Sequence, residues 1–340
     1  MNKRKPLLGI SFLFVFTQFA ATNEMVIARD GQNTPYARAI RAGEVKDWER
    51  FRYWVGMIPE NERDSRIKEW RSLLAQEYVR RGMANIAKMA SEKDTALFVA
   101  RARTAFMLAT VADMRNVEAR YQLGLLYQNA FKYNECALEE LELFVRLMPT
   151  ADERVRQVTR TILPDLRQSI EASRSGAQSR DSAKCAVELV NAEVLLKKRM
   201  LKDAVAHYKA AYYADSQSYP AAFGFARALE RINRLDRNLV PNAEREALMY
   251  YGIASWLRPG SASALLEVGR LAQELNMYLK AADAYSRVLA KWPEHHLAAD
   301  GLIQALAKQG HTEEADVYHR YRIELDELLG KKQPKMATVE

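Results

Sequence analysis

Hydrophobic residues recur along this chain at steps of four and three, which is the spacing of one face of an α-helix. Ala281, Tyr285 and Val288 form one such stripe, and Pro293 follows it. Because proline cannot continue the helical hydrogen-bond ladder, the pattern predicts a helix that ends before residue 293.

The same stripe recurs earlier in the chain. One copy lies 34 residues upstream, at Ala247, Tyr251, Ala254 and Pro259. Further copies are Ala204, Tyr208, Ala211 and Ser216; Ala137, Leu141, Phe144 and Pro149; and a fainter one at Ala102, Phe106, Ala109 and Met114. Any amphipathic helix has one such stripe, whereas several copies indicate an internal repeat.

Apolar and small residues upstream of the stripes predict a partner helix for each. Before Ala281 they are Leu265, Val268, Gly269 and Ala272. Small residues allow two helices to approach closely, and the larger Tyr285 fills the space beside them. Because one hairpin cannot bury its own stripe, neighbouring hairpins must stack.

The pattern resembles the tetratricopeptide repeat, a helix–turn–helix unit of 34 residues, over roughly residues 97–322. The resemblance implies an all-α chain that forms a right-handed α-solenoid of helical hairpins. Two segments depart from it: extra residues at 234–242 between two helices, and a helical stretch from Asp152 to Ala172 that contains Pro164 and breaks the repeat phase.

We expect five parts along the chain. They are a signal peptide or short anchor at 1–28, a helical block at 33–172 with degenerate repeats and one clear repeat, a polar flexible linker at 173–182, a repeat array at 183–330 and a disordered tail at 331–340. Within the helical block, Thr34 and Pro35 predict a helix start, Gly43 its end, and Asn61 the cap of a long helix that reaches about Arg81.

The N-terminal residues have the order of a secretory signal peptide. Basic residues at 3–5 precede an apolar run over 7–16, and small residues follow at 20–21. We therefore expect an exported protein, periplasmic or secreted, whose mature form begins near Thr22 or Arg29. The apolar stretch is shorter than the ~20 residues of a spanning helix, and an uncleaved inner-membrane anchor over residues 7–21 is the alternative.

Cys136 and Cys185 are the only cysteines in the sequence. Both fall among apolar helix positions, where a free cysteine packs as a small core residue. A disulfide between them in an oxidising compartment is the alternative.

The formal charge of +8 does not indicate nucleic-acid binding once it is divided along the chain. Residues 183–330 have 19 basic and 19 acidic side chains, so the repeat array is neutral. Part of the remaining surplus lies in the basic residues 3–5. An ordinary solvated surface explains the rest better than a phosphate-binding stripe.

No catalytic motif appears in the sequence. It lacks a phosphate-binding glycine loop, a dinucleotide fingerprint and a nucleophile elbow. Glu294, His295 and His296 are adjacent residues at a repeat boundary, so they do not form one metal-ligand face, and the cysteines lack a zinc spacing. We therefore expect no enzyme activity, no cofactor and no metal.

The resemblance implies a binding groove lined by the first helix of each repeat. The groove-facing positions correspond here to Tyr121, Leu125, Gln128, Asn129, Leu189, Glu193, Lys197, Phe223, Arg227, Arg231, Leu266, Arg270, Gln273, Asp300, Gln304 and Lys308. Apolar side chains beside polar ones suit an extended or helical peptide. Plain solvated helix faces are the alternative.

Phe223, Arg227 and Arg231 stand at steps of four and share one helix face. The aromatic ring offers apolar contact, and the guanidinium groups offer forked donors for carboxylates. These residues predict a peptide with an apolar anchor flanked by acidic residues. Where chaperone-tail clamps of the family have lysine and asparagine, this chain has Tyr121 and Leu125, which argues against that ligand.

The sequence thus predicts a non-enzymatic scaffold that binds a protein or peptide partner, another envelope protein by family analogy, in assembly, secretion or envelope biogenesis. The alternative is a structural protomer that stacks with copies of itself. No nucleic-acid partner is expected, and membrane contact is expected only through an uncleaved N-terminal segment.

Overall fold

A computed structural model describes residues 34–89, 94–174, 180–235 and 240–330. Over these ranges the regular elements are helices, apart from an isolated bridge between Arg180 and Asp215, so the all-α prediction is confirmed. The helices are α1 Pro35–Glu44, α2 Trp48–Gly56, α3 Ser65–Met89, α4 Thr95–Ala112, α5 Val117–Leu126, α6 Asn134–Leu147, α7 Glu153–Gln157, α8 Leu163–Arg174, α9 Ser182–Lys197, α10 Leu201–Ala214, α11 Tyr219–Leu235, α12 Ala243–Leu257, α13 Ala262–Glu274, α14 Tyr278–Lys291, α15 His296–Lys308 and α16 Thr312–Leu329.

Several predicted segments lie outside the described residues. These are the signal peptide at 1–28, the tail at 331–340 and residues 175–179 of the linker at 173–182. The linker's described end is held in place, because Asp181 donates its backbone N–H to the Ala214 carbonyl and caps α9.

The described chain divides into two compact units, and this division does not follow the predicted boundary at 173–182. The first unit comprises residues 34–76, 111–113 and 323–330. The second comprises 77–89, 94–110, 114–174, 180–235 and 240–322. Residues distant in sequence therefore belong to one unit.

In the first unit, Thr34 caps α1 by accepting the N–H of Ala37 at 3.2 Å, with Pro35 at the first helical position, as predicted. The predicted cap at Asn61 is wrong. Asn61 lies in a short 3₁₀ turn, and Asp64 caps α3 through the N–H of Ile67 at 3.0 Å. An aspartate carboxylate accepts this bond well, and the helix that follows runs to Met89.

Charged contacts hold the first unit together around a small core that contains Phe51 and Val55. Arg52 donates from Nε to Glu327 at 2.9 Å. Arg71 donates to the carbonyls of Val111 and Ala112 at 2.9 and 3.1 Å, which satisfies free acceptors at the end of α4. The Arg52 contact joins α2 to the end of α16, and the Arg71 contacts join α3 to the end of α4.

In the second unit, consecutive helices pack against one another as hairpins. The predicted stripe of α14 is buried: Ala281 and Val288 are fully inaccessible, and Tyr285 is 6 % exposed. Tyr285 lies between Gly269 and Gly301, where an added Cβ would come within 2.6 and 2.4 Å of its ring. Glycine is required at both positions because the aromatic ring occupies the space of a side chain.

The hairpin pattern extends further toward the N-terminus than the sequence resemblance did. Phe106 on α4 packs on Gly82 of α3, at 2.5 Å from a Cβ added there. By length and composition alone α4 could cross a membrane, yet 67 % of it is buried and Arg103 is fully buried near its centre. Both features are those of a core helix.

The helical stretch from residue 152 is present, with Asp152 as its cap. It accommodates Pro164 after a π-helical turn, Val158–Ile162, which joins α7 to α8. A π turn shifts the hydrogen-bond register, as expected beside a residue that lacks a backbone donor.

Both cysteines are free in the structure. Cys185 is buried in an apolar cluster with Ala211, Ala214 and Ala221. Burial raises the pKa of the Cys136 thiol to about 11, so this thiol is protonated and unreactive at neutral pH.

Candidate peptide-binding groove

A recess of about 330 Å³ opens between the first helices α11 and α13, with α12 contributing to its wall. It brings together Phe223, Arg227 and Arg231, which the helical spacing had placed on one face. The recess, called the arginine recess below, is lined by Phe223, Arg227, Glu230, Arg231, Arg234, Tyr251, Glu267 and Arg270.

Aromatic rings form the apolar part of the arginine recess. Phe223 stacks on Tyr219 with centroids 5.4 Å apart and meets Tyr251 edge-on at 5.3 Å. Phe223 also packs on a buried cluster of small residues that includes Ala254 and Ala264. These contacts fix the ring, which stays half-buried with one side open to the recess.

Two of the four arginines are neutralised within the protein. The Glu230 carboxylate, 9 % exposed, accepts from Arg270 at 2.6 Å and also pairs with Arg234. Arg270 further contacts Glu267 and Glu274, each at 2.7 Å. Because three carboxylates surround Arg270, its charge is already paired. Its contacts connect the helices that form the recess.

Arg227 and Arg231 are the cations available to a ligand. Arg227 is 42 % exposed and forms one long ion pair, with the half-exposed Glu193 at 3.6 Å. Its Nε is buried without an acceptor in the described chain. Arg231 is exposed, and within the described ranges it forms no ion pair. Two guanidinium groups thus lie beside an aromatic surface, an arrangement that suits carboxylates next to an apolar group.

Burial and the neighbouring carboxylates together set the pKa values of Tyr251 and Arg270 in the recess. Desolvation, followed by the neighbouring Glu230, raises the pKa of Tyr251 far above its ordinary value of 10.0. Tyr251 therefore stays neutral and donates its hydroxyl to Glu230 at 3.1 Å. For Arg270, burial acts to lower the pKa, but the surrounding carboxylates outweigh it and raise the value.

Two other predicted residues lie in a different recess. Leu125 and Asn129 line an apolar recess of about 750 Å³ whose wall also contains Met89 and Phe131. Tyr121, one turn before Leu125, packs on Phe144 at 4.9 Å and under the Arg154 guanidinium at 5.4 Å. Tyr121 is thus occupied by contacts within the protein.

The remaining predicted residues do not converge. Gln273 accepts from Tyr285 and donates to the Gly301 carbonyl, Asp300 pairs with Arg322, and Leu189 packs on the core around Cys185. Glu193 accepts from the Tyr208 hydroxyl at 2.5 Å, and the pKa of that tyrosine rises to about 12 through burial and this bond. Gln128 and Leu266 are half-buried, and Lys197, Gln304 and Lys308 are exposed.

Sequence spacing did not find Glu230, Arg234, Tyr251 or Glu267, although all four line the recess. For Glu230 the sequence contains one usable signal: it lies four residues before Arg234 on the same helix, the spacing of a helical ion pair. Elsewhere, no group of three or more His, Cys, Asp or Glu side chains positioned to hold a metal occurs among the described residues.

Comparison with known proteins gives matches to solved structures only. No family model matches the chain, and no curated protein matches it. Similar structures include a crystal structure of MamA, at 18 % identity and TM-score 0.37 over 53 % of this chain and 98 % of that one. Another is YrrB, described as a TPR protein with an unusual peptide-binding site, at 18 % identity and TM-score 0.28 over 66 % and 89 %.

A third is the TPR2AB domain of yeast Sti1 in complex with pHSP90, at 11 % identity and TM-score 0.27 over 87 % of this chain and 99 % of that one. At these low TM-scores, no binding site is carried over to this chain. The chain is similar to tetratricopeptide-repeat proteins, and its own structure shows the helical hairpins that the resemblance implied.

Proposed function

We propose that this protein is a non-enzymatic scaffold whose arginine recess binds a peptide segment of a partner protein. The observation that carries the proposal is the pair Arg227 and Arg231. Arg231 forms no ion pair among the described residues, and Arg227 has only a long, half-exposed one with Glu193 at 3.6 Å, whereas Arg234 and Arg270 pair closely with Glu230. A ligand carboxylate would supply what the protein itself does not.

The ligand chemistry follows from the neighbours of these arginines. The half-buried ring of Phe223 offers an apolar contact held in place by Tyr219 and Tyr251. A peptide with one apolar anchor and acidic residues on either side therefore fits the recess. Arg227 and Arg231 act against a basic peptide by charge repulsion. Glu230 and Glu267 lie in the same wall, but Arg234 and Arg270 already neutralise them.

We further propose an exported protein whose partner is another envelope protein. This proposal rests only on the order of basic, apolar and small residues at 1–28. Intact-mass measurement of protein recovered from an exporting host is expected to show a chain that begins near Thr22 or Arg29. A full-length mass in the membrane fraction would instead indicate that the N-terminal segment is an uncleaved anchor.

The binding proposal is tested by peptide selection. A displayed library of extended peptides is panned against the wild-type protein, and affinities of the enriched peptides are measured by fluorescence polarisation. We expect acidic peptides with an aliphatic or aromatic anchor. Arg227→Ala with Arg231→Ala should weaken their binding by about 2 kcal/mol or more, which is roughly 30-fold.

A matched control removes the same charge elsewhere. Arg146→Ala with Arg156→Ala changes two exposed arginines, 71 % and 51 % exposed, on α6 and α7, and should bind as the wild type does. Equal affinity for both double variants would contradict the proposed site.

Phe223→Ala with Arg227→Ala should weaken binding further while the helical circular-dichroism signal is retained. Growth of mass with concentration in light scattering, without any peptide, would favour the self-assembling alternative.

A further inference from the structure

A second groove lies on the second helices, away from the arginine recess, and its volume is about 860 Å³. It runs along α12 and is flanked by the end of α10 and the start of α14. Along α12 its lining extends from Arg245 to Leu257, about 18 Å at the helical rise per residue. We call it the second-helix groove.

The floor of the second-helix groove contains a glycine that packing does not require. A Cβ added at Gly252 meets no atom within 4 Å, in contrast to Gly269 and Gly301. The corresponding position in the other stripes, five residues after the first alanine, is Met107, Glu142, Lys209 or Ser286. Glycine is unfavourable inside a helix, and at this position it leaves an open patch of backbone surface.

Exposed apolar side chains surround this glycine. Met249 and Met277 are 49 % and 42 % exposed, and Ile253 and Trp256 are partly exposed. Methionine side chains are flexible and polarisable, so they adapt to an apolar partner surface. Apolar side chains that converge on one groove, rather than occurring singly, mark an interaction site.

The charges of the groove have one sign. Arg245 and Lys280 are its only charged lining residues, and both are exposed. Neither forms an ion pair within the described chain. The groove therefore presents an apolar floor between two unpaired cations.

We infer that the second-helix groove docks an amphipathic α-helix of a partner protein, with its apolar face on Gly252, Met249 and Trp256 and acidic residues toward Arg245 and Lys280. A groove about 18 Å long accommodates roughly three turns of a helix. Helices that dock in grooves place anchors at steps of three and four, and bare backbone at Gly252 lets one anchor approach closely. This surface is independent of the arginine recess.

The experiment uses a displayed library of helical peptides with leucines at steps of three and four and randomised flanking positions. Panning against the full chain is expected to enrich acidic flanks. Gly252→Glu fills the floor and adds a negative charge, so it should weaken the enriched peptides at least about tenfold. Gly252→Ala adds only a methyl group to the floor, so it should weaken the peptides less than Gly252→Glu does while melting at or above the wild-type temperature.

Charge exchange separates this site from general apolar binding. Arg245→Glu with Lys280→Glu should lose the acid-flanked peptide and gain affinity for the same helix with lysines at the flanks. The proposal is overturned by any of three results: no enrichment over the Gly252→Glu variant, equal binding of acidic and basic helices to both proteins, or a monomer–dimer equilibrium that Gly252→Glu abolishes. The last result would assign the groove to a second copy of the chain.

Arg227→Ala with Arg231→Ala leaves the second-helix groove intact. Failure of one of the two proposed sites therefore does not imply failure of the other.

Discussion

Two arginine sites in the second unit differ in what surrounds the guanidinium group. Arg227, in the arginine recess, is 42 % exposed and has an incomplete set of partners. Arg103, on the core helix α4, is fully buried. The same side chain is available to a ligand at one site and forms part of the fold at the other.

Arg103 is held by hydroxyls, a carbonyl and aromatic rings. It donates to the Ser286 hydroxyl at 2.5 Å, to the Ser286 carbonyl at 2.6 Å and to the Tyr318 hydroxyl at 3.2 Å. Its guanidinium carbon lies 4.7 Å from the Phe131 ring centroid and 5.6 Å from that of Tyr127. No carboxylate of the described residues pairs with it.

The difference shows that residue type alone does not define a binding site. A buried arginine without a carboxylate depends on cation–π contacts and hydrogen bonds that are worth more at low dielectric. A half-exposed arginine with one long ion pair keeps part of its hydration, which a ligand carboxylate can replace. The comparison therefore predicts loss of stability at one site and loss of binding at the other.

The largest expected effect is that of Arg103→Ala. The change leaves a cavity and an unpaired Ser286 carbonyl in the core, so the free energy of unfolding should fall by about 3–5 kcal/mol. Arg103→Lys keeps the charge but loses the forked geometry, so its free energy of unfolding should lie between those of Arg103→Ala and the wild type. Urea denaturation followed by circular dichroism measures both.

The control for this change is Arg146→Ala, which removes an arginine that is 71 % exposed and should alter stability by about 0.5 kcal/mol or less. If Arg103→Ala unfolds at the same urea concentration as this control, the buried site has no structural role and the distinction between the two arginines fails.

A smaller decrease in the free energy of unfolding is expected at alkaline pH. Burial raises the pKa of Tyr127 well above 10.0, although Arg103 beside it acts in the opposite direction. Burial also raises the pKa of Tyr250 to about 12. Since these phenols hold their protons more tightly in the folded state, the stabilisation is fully present below pH 10 and is lost as pH rises through the folded values.

Denaturation at pH 8, 10 and 11 measures this dependence. Stability should decrease between pH 10 and 11, and Tyr127→Phe should make the decrease less steep because one titrating group is gone. A wild-type stability that is constant up to pH 11 would show that the tyrosines around Arg103 are not held in the protonated form.

Much of the fold followed from local spacing. The stripe through Ala281, Tyr285 and Val288 predicted a buried helix face, and these residues are buried. The cap at Asn61 was wrong because a cap depends on where the preceding 3₁₀ turn ends, and Asp64 rather than Asn61 stands there. Local competition between two side chains that both accept hydrogen bonds is not resolved by residue type.

The groove positions show a different limit. Gln273 and Arg227 were predicted on equal grounds, from their position in the first helix. The structure gives Gln273 a donor in Tyr285, whereas Arg227 keeps an unpaired Nε. An outward position on a helix does not determine whether a neighbouring helix supplies the partner, so the binding residues themselves stay a prediction.

The sequence by itself determined the helices and their buried faces, because a period of three to four residues is a property of a single helix. Only the tertiary structure decided which charges are satisfied. Arg103 finds its partners 183 and 215 residues away, and Arg270 finds Glu230 on a preceding helix, 40 residues away. Such distances are set by how hairpins stack, and stacking depends on the shapes of all the packed faces together.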